Sequence, residues 1–231
     1  MKRYVFERIL AARSGKRPLA VATRLADGAQ AVYEDNNATG ELALTIDQLD
    51  EIRSMLVADR SGMLKSEPPV FVRCYGCAPR LLVVGAVHIG QVLASMAVPA
   101  GFDVTVIDPR RAFAVAERFP GVALTDEWPD EALARLGIDE RTAVVTLTHD
   151  PKLDDPALIA ALRGSPFYIG ALGSTLTHAK RMTRLAQLGL GEASRRIHAP
   201  IGLALGGRSP AEIAVSILAE IIQVRYRTSR A

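Results

Sequence analysis

The chain has only two cysteines, Cys74 and Cys77, too few for a disulfide framework. No apolar run approaches the ~18 residues that a membrane-spanning helix requires, so no membrane segment is expected. The basic opening MKRYVFERIL is interrupted by Glu7 and Arg8 where a signal peptide would carry its apolar stretch. Neither sign of charge dominates. The 28 basic residues outnumber 25 acidic ones by a small margin that is not gathered into a stripe, which argues against a nucleic-acid partner. Repeats at a solenoid period and low-complexity tracts are also missing. What remains is a chain of 231 residues, 49% apolar and 23% charged, able to bury a real core and read as cytoplasmic.

The rhythm of apolar residues changes near residue 78. Before it, residues 3 to 12 have helical spacing with Val5, Ile9 and Leu10 on one side. Two short strands, PLAVATRL and AQAVYED, flank the hairpin signal Asp27-Gly28. TIDQLDEIRSML is a further amphipathic helix, with Ile46, Leu49, Ile52, Met55 and Leu56 on one face, and VFVRCY a further strand. Residues 1 to 77 thus read as a small α+β region with little apolar material of its own. From 78 to 231, strands and helices alternate. RLLVVGA is a continuous aliphatic run followed by a helix from His88, then FDVTVIDP and a helix over RRAFAVAERF. VALT, DEALARL, TAVVTLTHD, PALIAALRG (with Asp155 as cap and Pro156 in the first turn), FYIGALGS, THAKRMTRLAQLG and SPAEIAVSILAEIIQV follow, the last opened by a Ser209/Glu212 capping box. Strict alternation predicts an α/β fold with an open, doubly wound parallel sheet.

In such a sheet the ligand lies beyond the carboxyl ends of the strands, where strand order reverses. The predicted strand exits carry Gly85, Ala86, Val87 and His88; then Asp108 and Arg110; then Thr148, His149 and Asp150; then Gly173 and Ser174. His198 is placed near the same rim. Gly85 and Gly90 match the outer glycines of G-x-G-x-x-G, but Val87 replaces the central one. A helix tip there favours a pyrophosphate-like anion. The branched Val87 resists a positive φ, so the turn is expected to adjust or the phosphates to sit farther out. Asp108 can accept hydrogen bonds from ribose hydroxyls, whereas Arg110 and Arg111 can attract a 2′-phosphate, which leaves NAD and NADP both open. His149 has three readings: acid–base group, ligand contact or cap. An NAD(P)-dependent oxidoreductase using His149 and Lys152 is therefore the alternative to a purely binding role. No spacing matches a strong metal pattern. Cys74 and Cys77 form a C-x-x-C followed by Pro79 and a strand, which reads either as linker thiols or as a thiolate contact for a soft metal or a transferred sulfur.

Taken in order, TAVVTLTHDPKLDDPAL, YIGALGSTLTHAKRM, RIHAPIGL and SPAEIAVSILAEII, after a glycine turn with His88, resemble the xanthine dehydrogenase accessory family (XdhC/CoxI) over residues 80 to 226. The resemblance implies a Rossmann fold and a maturation factor for molybdenum hydroxylases of the xanthine or carbon monoxide dehydrogenase type. It further implies binding of molybdenum cofactor (molybdopterin type), help with its sulfuration and insertion, and no catalytic residue of its own. The implied partners are a cysteine desulfurase and the molybdenum hydroxylase large subunit; a homodimer through the long apolar last helix is a further expectation. The chain departs from longer family members at the front, where their S-G-G-C segment has no counterpart and only Cys74 and Cys77 supply thiols.

Overall fold

Aliphatic runs and amphipathic stretches sort into two compact units that divide between Ala78 and Pro79. A computed structural model describes residues 2–15 and 17–228. The first unit contains α1 (Arg3–Ser14), β1 (Leu19–Arg24), β2 (Gln30–Glu34), β3 (Asn37–Gly40), α2 (Ile46–Val57), β4 (Gly62–Met63) and β5 (Val70–Tyr75). Its antiparallel sheet has the order β3-β2-β1-β5-β4. Because side chains alternate along a strand, β1 and β2 feed two cores. Leu19, Val21 and Val32 pack with Val5, Ile9 and Ala12 of α1, while Ala20, Ala31 and Tyr33 pack with Ile52 and Met55 of α2. The apolar residues of the unit are thus divided between the two faces of its sheet.

Three details differ from the periodicity. Leu10 and Ile46 lie on the expected apolar faces yet are exposed, and Ala12 completes the buried face of α1 instead. The strands β3 and β4 carry no periodic signal, being short and largely exposed. The β2–β3 reversal uses Asp35 and Asn36 at φ 48 and 61, a left-handed pair that Asp and Asn tolerate better than other side chains.

The second unit contains β6 (Arg80–Val84), α3 (His88–Ala97), β7 (Asp103–Ile107), β8 (Ala123–Thr125), α4 (Pro129–Leu136), β9 (Thr142–Thr146), α5 (Pro151–Arg163), β10 (Tyr168–Ala171), α6 (Thr175–Gln187), β11 (Ile197–His198) and α7 (Pro210–Thr228). The strands form one parallel sheet in the order β11-β10-β9-β6-β7-β8. Strand order therefore reverses between β6 and β9, as doubly wound topology requires. The central strands are buried on both faces. One face packs Leu81, Val83, Val104 and Val145 against Leu93 and Ala97 of α3 and Ile217 and Ile221 of α7. The other packs Leu82, Val84, Val144 and Ile169 against α4, α5 and α6.

Two helix expectations are corrected. RRAFAVAERF is not a helix but a turn followed by one short 3-10 segment, Ala116–Arg118. Asp108 captures both the backbone N–H and the guanidinium of Arg110, which bends the chain before a helical turn can form. The helix α5 starts at Pro151 with Asp150 as its cap, so Pro156 lies inside it and Asp155 instead pairs with Arg184. Both Asp-Pro pairs satisfy the start rule, and the earlier one is used. No helix among the described residues is long and apolar enough to cross a membrane.

Candidate functional site

All six strands of the second unit run the same way, so their exits share one edge, and the residues after β6, β7, β9 and β10 meet there. Gly85 sits at φ 113, where side chains are strained, and donates its N–H to Ile107 O at 2.9 Å. A Cβ on Gly85 would lie 2.7 Å from the Thr148 methyl, which fixes the turn after β6 against the exit of β9. A Cβ on Gly90 would lie 2.6 Å from the Gly85 carbonyl oxygen, so the helix α3 approaches the turn backbone as only glycine permits. These two glycines are required by geometry.

Val87 is not an obstacle. It is the residue before the first turn of α3, at φ −83 and ψ 174, an extended conformation that valine adopts readily. The expected distortion of the turn is absent, because this position does not need a positive φ. The consequence of valine lies in its chemistry. The starts of α5, α6 and α7 each have a side-chain acceptor of their own, from Asp150, Ser174 and the Ser209/Glu212 box, whereas α4, which begins at Pro129, has none. No side chain caps α3. Its first-turn N–H groups therefore have no side-chain acceptor, and the partial positive charge of the helix end lies at the strand-exit edge.

Asp108 is fully buried and engaged within the protein. Its carboxylate accepts the Ala86 N–H at 2.8 Å, the Arg110 N–H at 3.0 Å, and Arg110 Nε and Nη2 at 2.8 and 2.7 Å. Four donors fill the acceptor directions of a carboxylate. Burial works to raise its pKa, but the guanidinium and the two N–H groups outweigh it and hold the carboxyl below its ordinary value. Asp108 thus ties the β6 turn to the β7 exit instead of standing open for a ribose. Arg110, partly exposed, also lies 4.5 Å over the Phe113 ring.

Opposite, the Thr148 hydroxyl donates to Asp154 Oδ1 at 2.7 Å and accepts the Asp150 N–H at 3.1 Å. His149 is exposed and held at φ 64, and Asp150 is engaged as the α5 cap. His88 is exposed at the first position of α3. Gly173, at φ 143, and Ser174 turn the chain from β10 into α6. The sequence-predicted residues at the exits of β6, β7 and β9 are brought together, with Gly173 and Ser174 one strand further along. His198 is not among them. It lies on the edge strand β11, stacked on Tyr168 with ring centroids 4.6 Å apart and 3.2 Å from Glu220 of α7, where it locks the last helix to the sheet.

Beneath this rim lie Asp154, one of the polar residues of the THDPKLDD stretch, and Arg181, which is absent from the sequence-based site. Asp154 and Arg181 are buried, at 1% and 2% exposure, with 3.5 Å between Asp154 Oδ2 and Arg181 Nη2. Burial pushes the Asp154 carboxyl up. No local sequence signal announces a pair that spans α5 and α6.

Cys74 and Cys77 belong to the first unit. Cys74 is buried, its thiol directed at the Arg60 carbonyl oxygen 3.3 Å away; burial, with Asp59 adding to it, pushes the thiol up to about 11. No disulfide joins the two. Among the described residues, no group of three or more His, Cys, Asp or Glu is arranged to hold a metal ion.

A doubly wound sheet with a glycine turn and an uncapped helix tip at its switch point is the architecture of a Rossmann domain. Residues 81–221 match the family model described as the XdhC Rossmann domain, and the chain belongs to that family. It is 36% identical over 147 residues to the molybdenum cofactor insertion chaperone PaoD of Escherichia coli (strain K12), covering 63% of this chain and 40% of that one. It is 34% identical over 161 residues to a probable xanthine dehydrogenase subunit from Bacillus subtilis (strain 168), covering 69% and 47%. The chain thus spans less than half the length of these two relatives. A crystal structure described as a xanthine dehydrogenase from Bacillus halodurans shares the fold, with a TM-score of 0.76 at 24% identity over 96% of this chain and 64% of that one.

Proposed function

We propose that this protein is an accessory factor that binds molybdenum cofactor and assists its insertion into a molybdenum hydroxylase. The observation that carries the reading is the open tip of α3 behind Gly85 and Gly90. An aliphatic residue stands where a cap would otherwise neutralise the helix end, and a phosphate-bearing ligand supplies the missing acceptors. The pterin cofactor has such a phosphate, and when bound it supplies the molybdenum centre that the recipient enzyme uses. This chain's own part is to hold the phosphate at the α3 tip and keep the remainder of the ligand over β9 and β10, between Thr148 and Ser174. The relative named as a molybdenum cofactor insertion chaperone supports the choice of ligand.

The role extends to sulfuration of the cofactor before insertion, for which the partners are a cysteine desulfurase and the hydroxylase large subunit. Cys74 is a poor candidate for handling sulfur, because its raised pKa keeps it as a thiol at neutral pH. The oxidoreductase reading is weakened by Asp108, whose carboxylate is filled by Ala86 and Arg110 and so does not offer ribose recognition. The test is to mix the protein with isolated molybdenum cofactor, desalt, and measure retained molybdenum. Stoichiometric retention is expected. Retention no greater than that of a protein without a Rossmann crevice would overturn the proposal.

A further inference from the structure

Arg181 presents an anomaly of hydrogen bonding. Its guanidinium is 2% exposed, yet Nε and Nη1 have no partner; Nη2 donates to Leu172 O at 3.1 Å. Its ionic partner is equally under-used, since Asp154 Oδ2 accepts no hydrogen bond and lies 3.5 Å from Nη2. Buried polar atoms are almost always satisfied, because an orphan forfeits its hydration without a replacement partner. Two orphan donors on one fixed cation therefore call for an acceptor.

The position of the guanidinium indicates what that acceptor is. Arg181 lies two turns into α6, and helical side chains lean toward the amino end. Its contact with Leu172 O puts it directly behind Gly173 and Ser174, at the start of the helix. There Ser174, Thr175 and Leu176 are exposed. Ser174 Oγ accepts the Thr177 N–H at 3.2 Å, leaving the Thr175 and Leu176 N–H groups for an outside acceptor. A helix end with two spare N–H groups and a buried, half-unpaired guanidinium thus flank one turn, the passage from Leu172 to Ser174. On the inner side, the carboxylate that faces Arg181 is Asp154, whose Oδ1 is already held by Thr148.

We propose that Arg181 and the amino-terminal tip of α6 form a second oxyanion subsite, for which Asp154 acts as the internal competitor. The ligand class is a tetrahedral oxyanion or an equally oxygen-rich anionic head group, carried by an elongated molecule. β10 lies two strands from β6, a separation of roughly 10 Å, so one ligand can reach both the α3 tip and this subsite. The subsite deepens the functional reading and rests on it only for the identity of the ligand's other end.

The probe is inorganic phosphate, titrated calorimetrically into the full chain. Asp154→Asn keeps the side-chain shape and removes the competing charge, and is expected to tighten phosphate binding about five- to tenfold. Adding Arg181→Gln should abolish that gain, with folding confirmed by circular dichroism. Unchanged affinity in Asp154→Asn, or a gain that survives Arg181→Gln, overturns the subsite. If Asp154→Asn does not fold, Arg181→Lys takes its place: weakening of phosphate binding by fivefold or more supports the proposal, and wild-type affinity refutes it. A failure to retain molybdenum cofactor alongside a normal Asp154→Asn gain removes the functional reading and leaves the subsite standing.

Discussion

Replacing Val87 with aspartate places a carboxylate at the start of α3, where the protein now leaves the helix end open. A side-chain cap of this kind stabilises a helix by about 0.5–2 kcal/mol. Val87 is only partly buried against the core beneath α3, so the packing lost is roughly 1 kcal/mol and net stability changes little. Ligand binding responds quite differently. The new carboxylate takes the first-turn N–H groups and sets a negative charge ~5 Å from the expected phosphate. At effective dielectric constants of about 80 to 20 that repulsion is roughly 1–3 kcal/mol, or about 5- to 150-fold in affinity. Threonine is the control, because it is nearly isosteric with valine and caps without charge, and a loss of only a few fold is expected. Retained molybdenum cofactor and calorimetric binding of inorganic pyrophosphate measure the effect, with urea unfolding to confirm equal stability. A Val87→Asp protein that binds both as the wild type does would refute the assignment of the α3 tip as the phosphate site.

Two further predictions concern neighbouring features. Gly90→Ala gains up to about 1 kcal/mol of helix propensity but drives its methyl to 2.6 Å from Gly85 O, an overpacking cost of roughly 1–3 kcal/mol. A lower urea midpoint is expected, and an unchanged or higher one would show that α3 can shift freely. For Cys74, whose folded pKa is raised from 9.0 to about 11, the stability contribution is complete below about pH 9 and fades as pH rises through 11. Cys74→Ala should flatten that alkaline decline, and Cys74 should resist thiol reagents at pH 8 until the protein unfolds; equal rates for both thiols in the folded protein would contradict its burial.

Much of this architecture is legible in the sequence because it follows from local pattern. Aliphatic runs such as RLLVV and TAVVT leave no amphipathic face and so demand a sheet covered on both sides, as β6 and β9 are. Asp27-Gly28 and the Ser209/Glu212 box announce a hairpin and a helix start with no help from distant residues. Periodicity misleads where a long-range contact intervenes. RRAFAVAERF has the composition of a helix, but Asp108 seizes Arg110 and breaks it.

The sequence by itself determined the alternation of strands and helices, the two glycines of the turn and the membership of one family, since each depends on residue order and backbone stereochemistry. Tertiary structure alone decided how the charged groups at the rim are used. It sealed Asp108 behind Arg110, drew Asp150 into a cap, left the end of α3 open beside Val87, and buried Asp154 with Arg181. The physical reason is that a charge takes its role from partners and solvent, and these arrive from segments far apart in the chain only once the sheet has assembled.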